Sequence, residues 1–157
     1  MMNESLNHNN SEELTAKEEL ENIDISTEEG KFEWLDTLLG NAEVSKEEEL
    51  KKAIDEDEEE TIKGELEIIN ISQKLLTEVD LGGNGGLVGS LERTLVASRQ
   101  NEDRLQKNGA TKETLDAAFK RSLATSNLIH LVKSEMSNRN MAQSSESSPL
   151  DTGEATS

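Results

Sequence analysis

Chemistry in a protein chain needs a nucleophile, a base or a ligand set, and here the candidates are few. The two histidines are His8 and His130. His8 sits in a polar N-terminal stretch with no partner at a motif spacing. His130 lies among Leu128, Ile129, Leu131 and Val132, where a lone imidazole ordinarily packs or meets solvent. Neither belongs to a Ser-His-Asp set, an H-E-x-x-H helix or an EF-hand loop. Gly82-Gly83-Asn84-Gly85-Gly86 offers backbone amides to a phosphate, but no Lys follows and no strand precedes. The phosphate-loop order is therefore missing, and a hinge between helices is the simpler reading. Asp55-Glu56-Asp57-Glu58-Glu59-Glu60 supplies oxygens for a hard cation. A consecutive run does not preorganise a cage, and such runs ordinarily form solvated linkers. These residues predict a chain that is not an enzyme, with no cofactor and no bound metal.

Binding is better represented. Phe32, Trp34, Leu35, Leu38 and Leu39 gather two of the three aromatic residues into one amphipathic segment, 27–39. Phe32, Leu35 and Leu39 share a helical face, and Leu38 borders it. A ridge of this kind docks in a groove, either a partner's or one on the chain's own remaining helices. The segment lies inside an acidic arm. Residues 1–60 hold 21 Asp and Glu against 5 Lys and Arg, residues 61–140 hold 10 against 11, and residues 141–157 hold 3 against none. Carboxylates on a helix rising about 1.5 Å per residue approach the charge density of DNA, about one per 1.7 Å of axis. The arm therefore suits the basic nucleic-acid channel of a host protein, or it keeps a sticky assembly dispersed. Over 87–140 the bases Arg93, Arg99, Arg104, Lys107, Lys112, Lys120, Arg121, Lys133 and Arg139 exceed the acids by three. That is a slight nucleic-acid footprint, and pairing along the same helices explains it equally.

Positioning these residues requires helices. The clearest runs from Thr111 to Asn138. Leu115, Phe119, Leu123, Ile129, Val132 and Met136 fall on one stripe, Ala117, Ala118 and Ala124 fill between them, and Leu128 and Leu131 widen it. Asn108-Gly109 closes the preceding helix, and Thr111 caps this one. Leu87 to Lys107 carries Leu87, Leu91, Leu95 and Leu105, and Thr61 to Leu81 carries Ile62, Leu66, Ile69, Leu76 and Val79. Short connections between them imply antiparallel neighbours. Thr15 and Glu18 have capping-box spacing, but few apolar residues follow, so 1–25 predicts at most a transient helix. The 157 residues are only 32% hydrophobic and 2% aromatic, with a formal charge of −18, which places the chain near the disordered boundary. The expected architecture is all-α. Residues 1–60 form a largely disordered acidic arm with a short helix at 27–39, 61–140 an antiparallel hairpin or three-helix module, and 141–157 a disordered Ser-rich tail. A module this small leaves its stripe partly uncovered. Leu91, Leu95, Leu115, Phe119, Leu123, Leu128, Ile129, Val132 and Met136 are therefore the candidate homo-oligomerisation residues. Phe119 counts among them as core. The chain has no Cys, no apolar run approaching roughly 20 residues and no signal-peptide core in Met1 to Asn10, so a cytoplasmic protein outside the membrane is expected.

The segment Lys120 to Asn138 carries Ala124-Thr125-Ser126-Asn127, then Leu128, Ile129, Val132-Lys133 and Glu135-Met136. It resembles the second central helix of small terminase subunits of T-even-type tailed phages. The resemblance covers about a third of the chain and extends to size and acidic ends. It implies a ring-forming helical hairpin that recognises viral DNA for packaging and stimulates a large ATPase-nuclease subunit. The acidic arm departs from what a DNA-contacting domain carries. Phage scaffolding proteins are similar in being acidic, helical, Cys-free and oligomeric, but they end in a basic segment that 141–157 does not supply. The sequence thus predicts an oligomerising adaptor for DNA packaging or virion assembly. The alternative is an acidic regulator bound to a host protein.

Overall fold

The computed structural model describes residues 16–156, and side chains through Ala142. His8 and the Thr15 cap lie outside the described residues. Every regular element described is helical. Residues 16–22 form the short helix α1. Then follow α2 (Glu28–Lys52), α3 (Glu56–Thr77), α4 (Gly86–Lys107) and α5 (Lys112–Thr156).

Helix α2 starts where Thr27 Oγ1 accepts a hydrogen bond from Gly30 N at 3.0 Å. Glu28 and Glu29 in its first turn and Lys51 and Lys52 in its last suit the helix dipole. The sequence predicts closure at Gly40-Asn41, yet the helix runs on to Lys52. Gly40 keeps a negative φ. The roughly 1 kcal/mol cost of a helical glycine is offset by packing on α3, where Lys46 pairs with Glu65 and Gln73 Nε2 donates to Glu43. The falling partner numbers make α2 and α3 antiparallel.

The acidic run does not form a linker. Asp55 becomes the N-cap of α3, accepting from Glu58 N at 2.8 Å, and Glu56, Asp57, Glu58 and Glu59 occupy the first turn. Four carboxylates meet the positive end of the helix there, which is the place where clustered acids favour helix. Between α3 and α4 the glycine run forms a tight turn, with Gly85 at φ 81° and Gly86 at φ 63°. Asp80 Oδ1 accepts from Gly82 N, and Ser90 Oγ accepts from Asp80 N.

Helices α4 and α5 form the most extensive pairing. Gly109, at φ 71°, closes α4, and Thr111 Oγ1 accepts from Thr114 N at 3.2 Å to start α5. Ser98 Oγ lies 2.7 Å from Ser122 Oγ, and Lys133 Nζ lies 3.3 Å from Glu92 Oε2, so the two run antiparallel. The backbone of α5 is helical to Thr156, where the sequence predicts a loose tail. Its last described tertiary anchor is Arg139, whose guanidinium donates to the carbonyls of Leu20 and Ile23 and to Glu135. That clamp holds α1 and the 23–25 segment against α5.

The core crosses the boundary expected at residue 60. Ile23, Ile25, Trp34, Leu35 and Leu39 join Leu75, Leu76, Leu87, Leu91, Ala124, Leu128 and Val132 in one cluster. Residues 28–52 are thus a full helix of the packed body, in place of a short helix on a loose arm. The physical cause is scarcity: α3, α4 and α5 have too little apolar surface of their own, and Trp34 with Leu35 supplies the missing volume.

Candidate self-association face

Most of the predicted binding residues are inside. Trp34, Leu35 and Leu39 are buried, and Phe32 and Leu38 are half-buried against the same cluster. The ridge at 32–39 docks on the chain's own helices. Of the predicted oligomerisation residues, Leu91, Leu128 and Val132 are buried, while Leu95, Leu115, Ile129 and Met136 are half-buried. Only Phe119, 58% exposed, and Leu123, 40% exposed, stand open. Phe119 is not core.

The reason lies in how closely α4 and α5 approach. Ser98 and Ser122 are within hydrogen-bond distance, which leaves room only for small side chains at that level. Ala118, Ser122, Ala124 and Thr125 face inward and are buried. Thr125 Oγ1 donates to the Arg121 carbonyl of its own helix, and Ser122 Oγ also donates to Glu102. A phenyl ring cannot enter such a seam. Phe119 and Leu123 sit one residue on from Ala118 and Ser122, about 100° round the helix, and so point outward.

They line an open groove of about 450 Å³, shared with Ser122 and Ser126 of α5 and with Arg99, Glu102, Asp103 and Gln106 of α4. Val96, 56% exposed, precedes Arg99 by one turn on the same side of α4. Asp103 pairs with Lys107 at 3.1 Å, and Arg99 has no acid partner among the described residues. Sequence periodicity did not separate this outward pair from the inward stripe. The available signal was the recurrence of small residues at Ala118, Ser122, Ala124 and Thr125, which marks the face of close approach.

The bases that suggested a nucleic-acid footprint are largely engaged. Lys120 pairs with Glu67 at 2.9 Å, Arg121 with Glu78 at 3.1 Å, Lys133 with Glu92 and Arg139 with Glu135. Arg93 donates to the Asn84 carbonyl, and Arg104 to Asn101. His130 is exposed on α5. Carboxylates dominate the α2–α3 turn, about which Glu47, Glu48, Glu49, Asp55, Glu56, Asp57, Glu58 and Glu60 are all exposed. Among the described residues, no group of three or more His, Asp or Glu side chains converges as a cation site. No helix described is long and apolar enough to cross a membrane.

At the start of α4, Glu28 Oε1 accepts from Leu87 N at 2.6 Å while Oε2 holds Lys31 Nζ at 2.7 Å. A carboxylate from α2 thereby caps α4. The Lys31 and Leu87 hydrogen bonds hold Glu28 below the usual carboxylate range. Comparison with protein-family models, with curated proteins and with solved structures finds no match to the chain.

Proposed function

We propose that this chain is a non-enzymatic helical adaptor that self-associates through the outer face of α4 and α5. The observation that carries this reading is the exposed apolar pair Phe119 and Leu123 lining the groove, with exposed Val96 one turn from the groove residue Arg99. Exposed patches rimmed by polar residues mark interaction sites, and the other exposed large apolar side chains among the described residues, Val44, Ile54 and Met141, lie outside this groove. The sequence resemblance assigns the adaptor to viral DNA packaging, in the manner of a small terminase subunit, or to virion assembly. Extensive pairing of the module's bases favours protein contacts over direct DNA contact. The test is light scattering on the full chain across micromolar concentrations. The expected result is a mass above one chain that falls to one chain in Phe119→Asp/Leu123→Asp. A monomer at every concentration would remove the reading.

A second reading has its own observation. The exposed carboxylates around the α2–α3 turn form an acidic end suited to the basic nucleic-acid site of a host protein. Replacing Glu47, Glu48 and Glu49 with Gln would then abolish capture of that host protein, while self-association persists.

A further inference from the structure

We infer that the partner on the α4–α5 face is a second copy of this chain, related by a two-fold axis that crosses both helices at the level of Ser122. The inference rests on the self-association proposed above and adds its symmetry and register. Ser122 bonds both Ser98 and Glu102, and Lys133 reaches Glu92, so an axis passing between Ser122 and Leu123 on α5 crosses α4 close to Asn101. An axis lying in the face at that level, perpendicular to the helices, sets α4 antiparallel to its copy and α5 antiparallel to its copy. Position i on one protomer then faces the position equally far beyond the axis on the other.

Four groove residues, Arg99 and Asp103 on α4 and Phe119 and Ser126 on α5, find mates in this register. On α4, Arg99 lies opposite Asp103 of the second copy, and Asp103 opposite its Arg99. Both are exposed and line the groove, and Arg99 has no acid partner within its own chain among the described residues. On α5, the bulky Phe119 lies opposite the small Ser126 of the second copy, and Leu123 sits beside the axis against its own mate. Large meets small and cation meets anion twice over, which is what a self-complementary patch requires. The open groove of about 450 Å³ gives the Phe119 ring of the other copy a place to enter. One surface thus serves as both donor and receiver.

Charge exchange tests it on the full-length chain. Arg99→Asp places acids opposite acids, and Asp103→Arg places bases opposite bases. Each variant alone is expected to lose self-association at least tenfold, and an equimolar mixture to regain it as a mixed dimer, read by native mass spectrometry. Circular dichroism of each variant confirms that it is folded. Because the chain has no Cys, Leu123→Cys gives a second readout, with a covalent dimer expected under oxidation or a short bismaleimide. Two results would overturn the inference. One is a mixture that stays monomeric while wild type associates and Phe119→Asp/Leu123→Asp does not. The other is wild type forming rings or open chains without a covalent Leu123→Cys dimer. In both, self-association through the face survives and only its two-fold register falls. A wild type that is monomeric throughout removes both.

Discussion

Gly86 and Glu28 show how much one atom decides. Gly86 has φ 63°, and a Cβ there would overlap the Glu28 carboxylate that caps α4. Gly86→Ala is expected to lower stability by about 2–3 kcal/mol, combining left-handed backbone strain with loss of the cap. Gly64 lies within α3 with open space around it, so Gly64→Ala is expected to raise stability by about 1 kcal/mol. Urea unfolding of the two variants checks the contrast in sign. The Glu28 carboxylate also gives a pH signature. Its folded pKa is depressed by Lys31 and the Leu87 amide, so its stabilisation is present above the ordinary glutamate range, near 4.3, and is lost as pH falls through the folded value. Glu28→Gln keeps an acceptor but no charge. The gap in melting temperature between wild type and Glu28→Gln is expected to be full at pH 6–7 and to close below about pH 4. A gap unchanged at pH 3 would show that the charge plays no part.

At the scale of elements, α2 is the decisive case. Its apolar face was legible: Phe32, Leu35 and Leu39 lie on one side of a helix in any reading. Which surface it covers was not, because a docking ridge has the same pattern whether its groove is foreign or its own. Leu35→Ala is expected to cost about 2–5 kcal/mol, since Leu35 is fully buried. Phe119→Ala, measured on dilute protein, is expected to stay within about 0.5 kcal/mol, as for other surface changes. Equal melting curves for Leu35→Ala and wild type would return α2 to the status of a loose arm. The starts of α2 and α5 were legible through Thr27 and Thr111, whose hydroxyls cap locally. The extent of α2 beyond Gly40 and the start of α3 at Glu56 were not. The first depends on packing against α3, and the second on where the acids fall relative to a helix end.

For the whole molecule, the shared core means that 61–140 is not a self-sufficient unit. Without residues 1–60, Leu75, Leu76 and Leu87 lose the cover of Trp34, Leu35 and Leu39. The isolated 61–140 segment is therefore expected to melt broadly by circular dichroism, where the full chain melts in one cooperative step. A sharp transition at the full chain's temperature would show that α2 adds nothing to the core.

By itself the sequence determined the helical class, the two connections flanking α4 and the hydroxyl caps at Thr27 and Thr111, because periodicity, glycine and hydroxyl caps act over a few residues. It also determined that the apolar supply is short. Tertiary structure alone decided which residues consume that supply. The close seam at Ser98 and Ser122 admits only small side chains, so Phe119 and Leu123 were turned outward while Trp34 and Leu35 were drawn in. Spacing along one helix cannot reveal how near its neighbour will come.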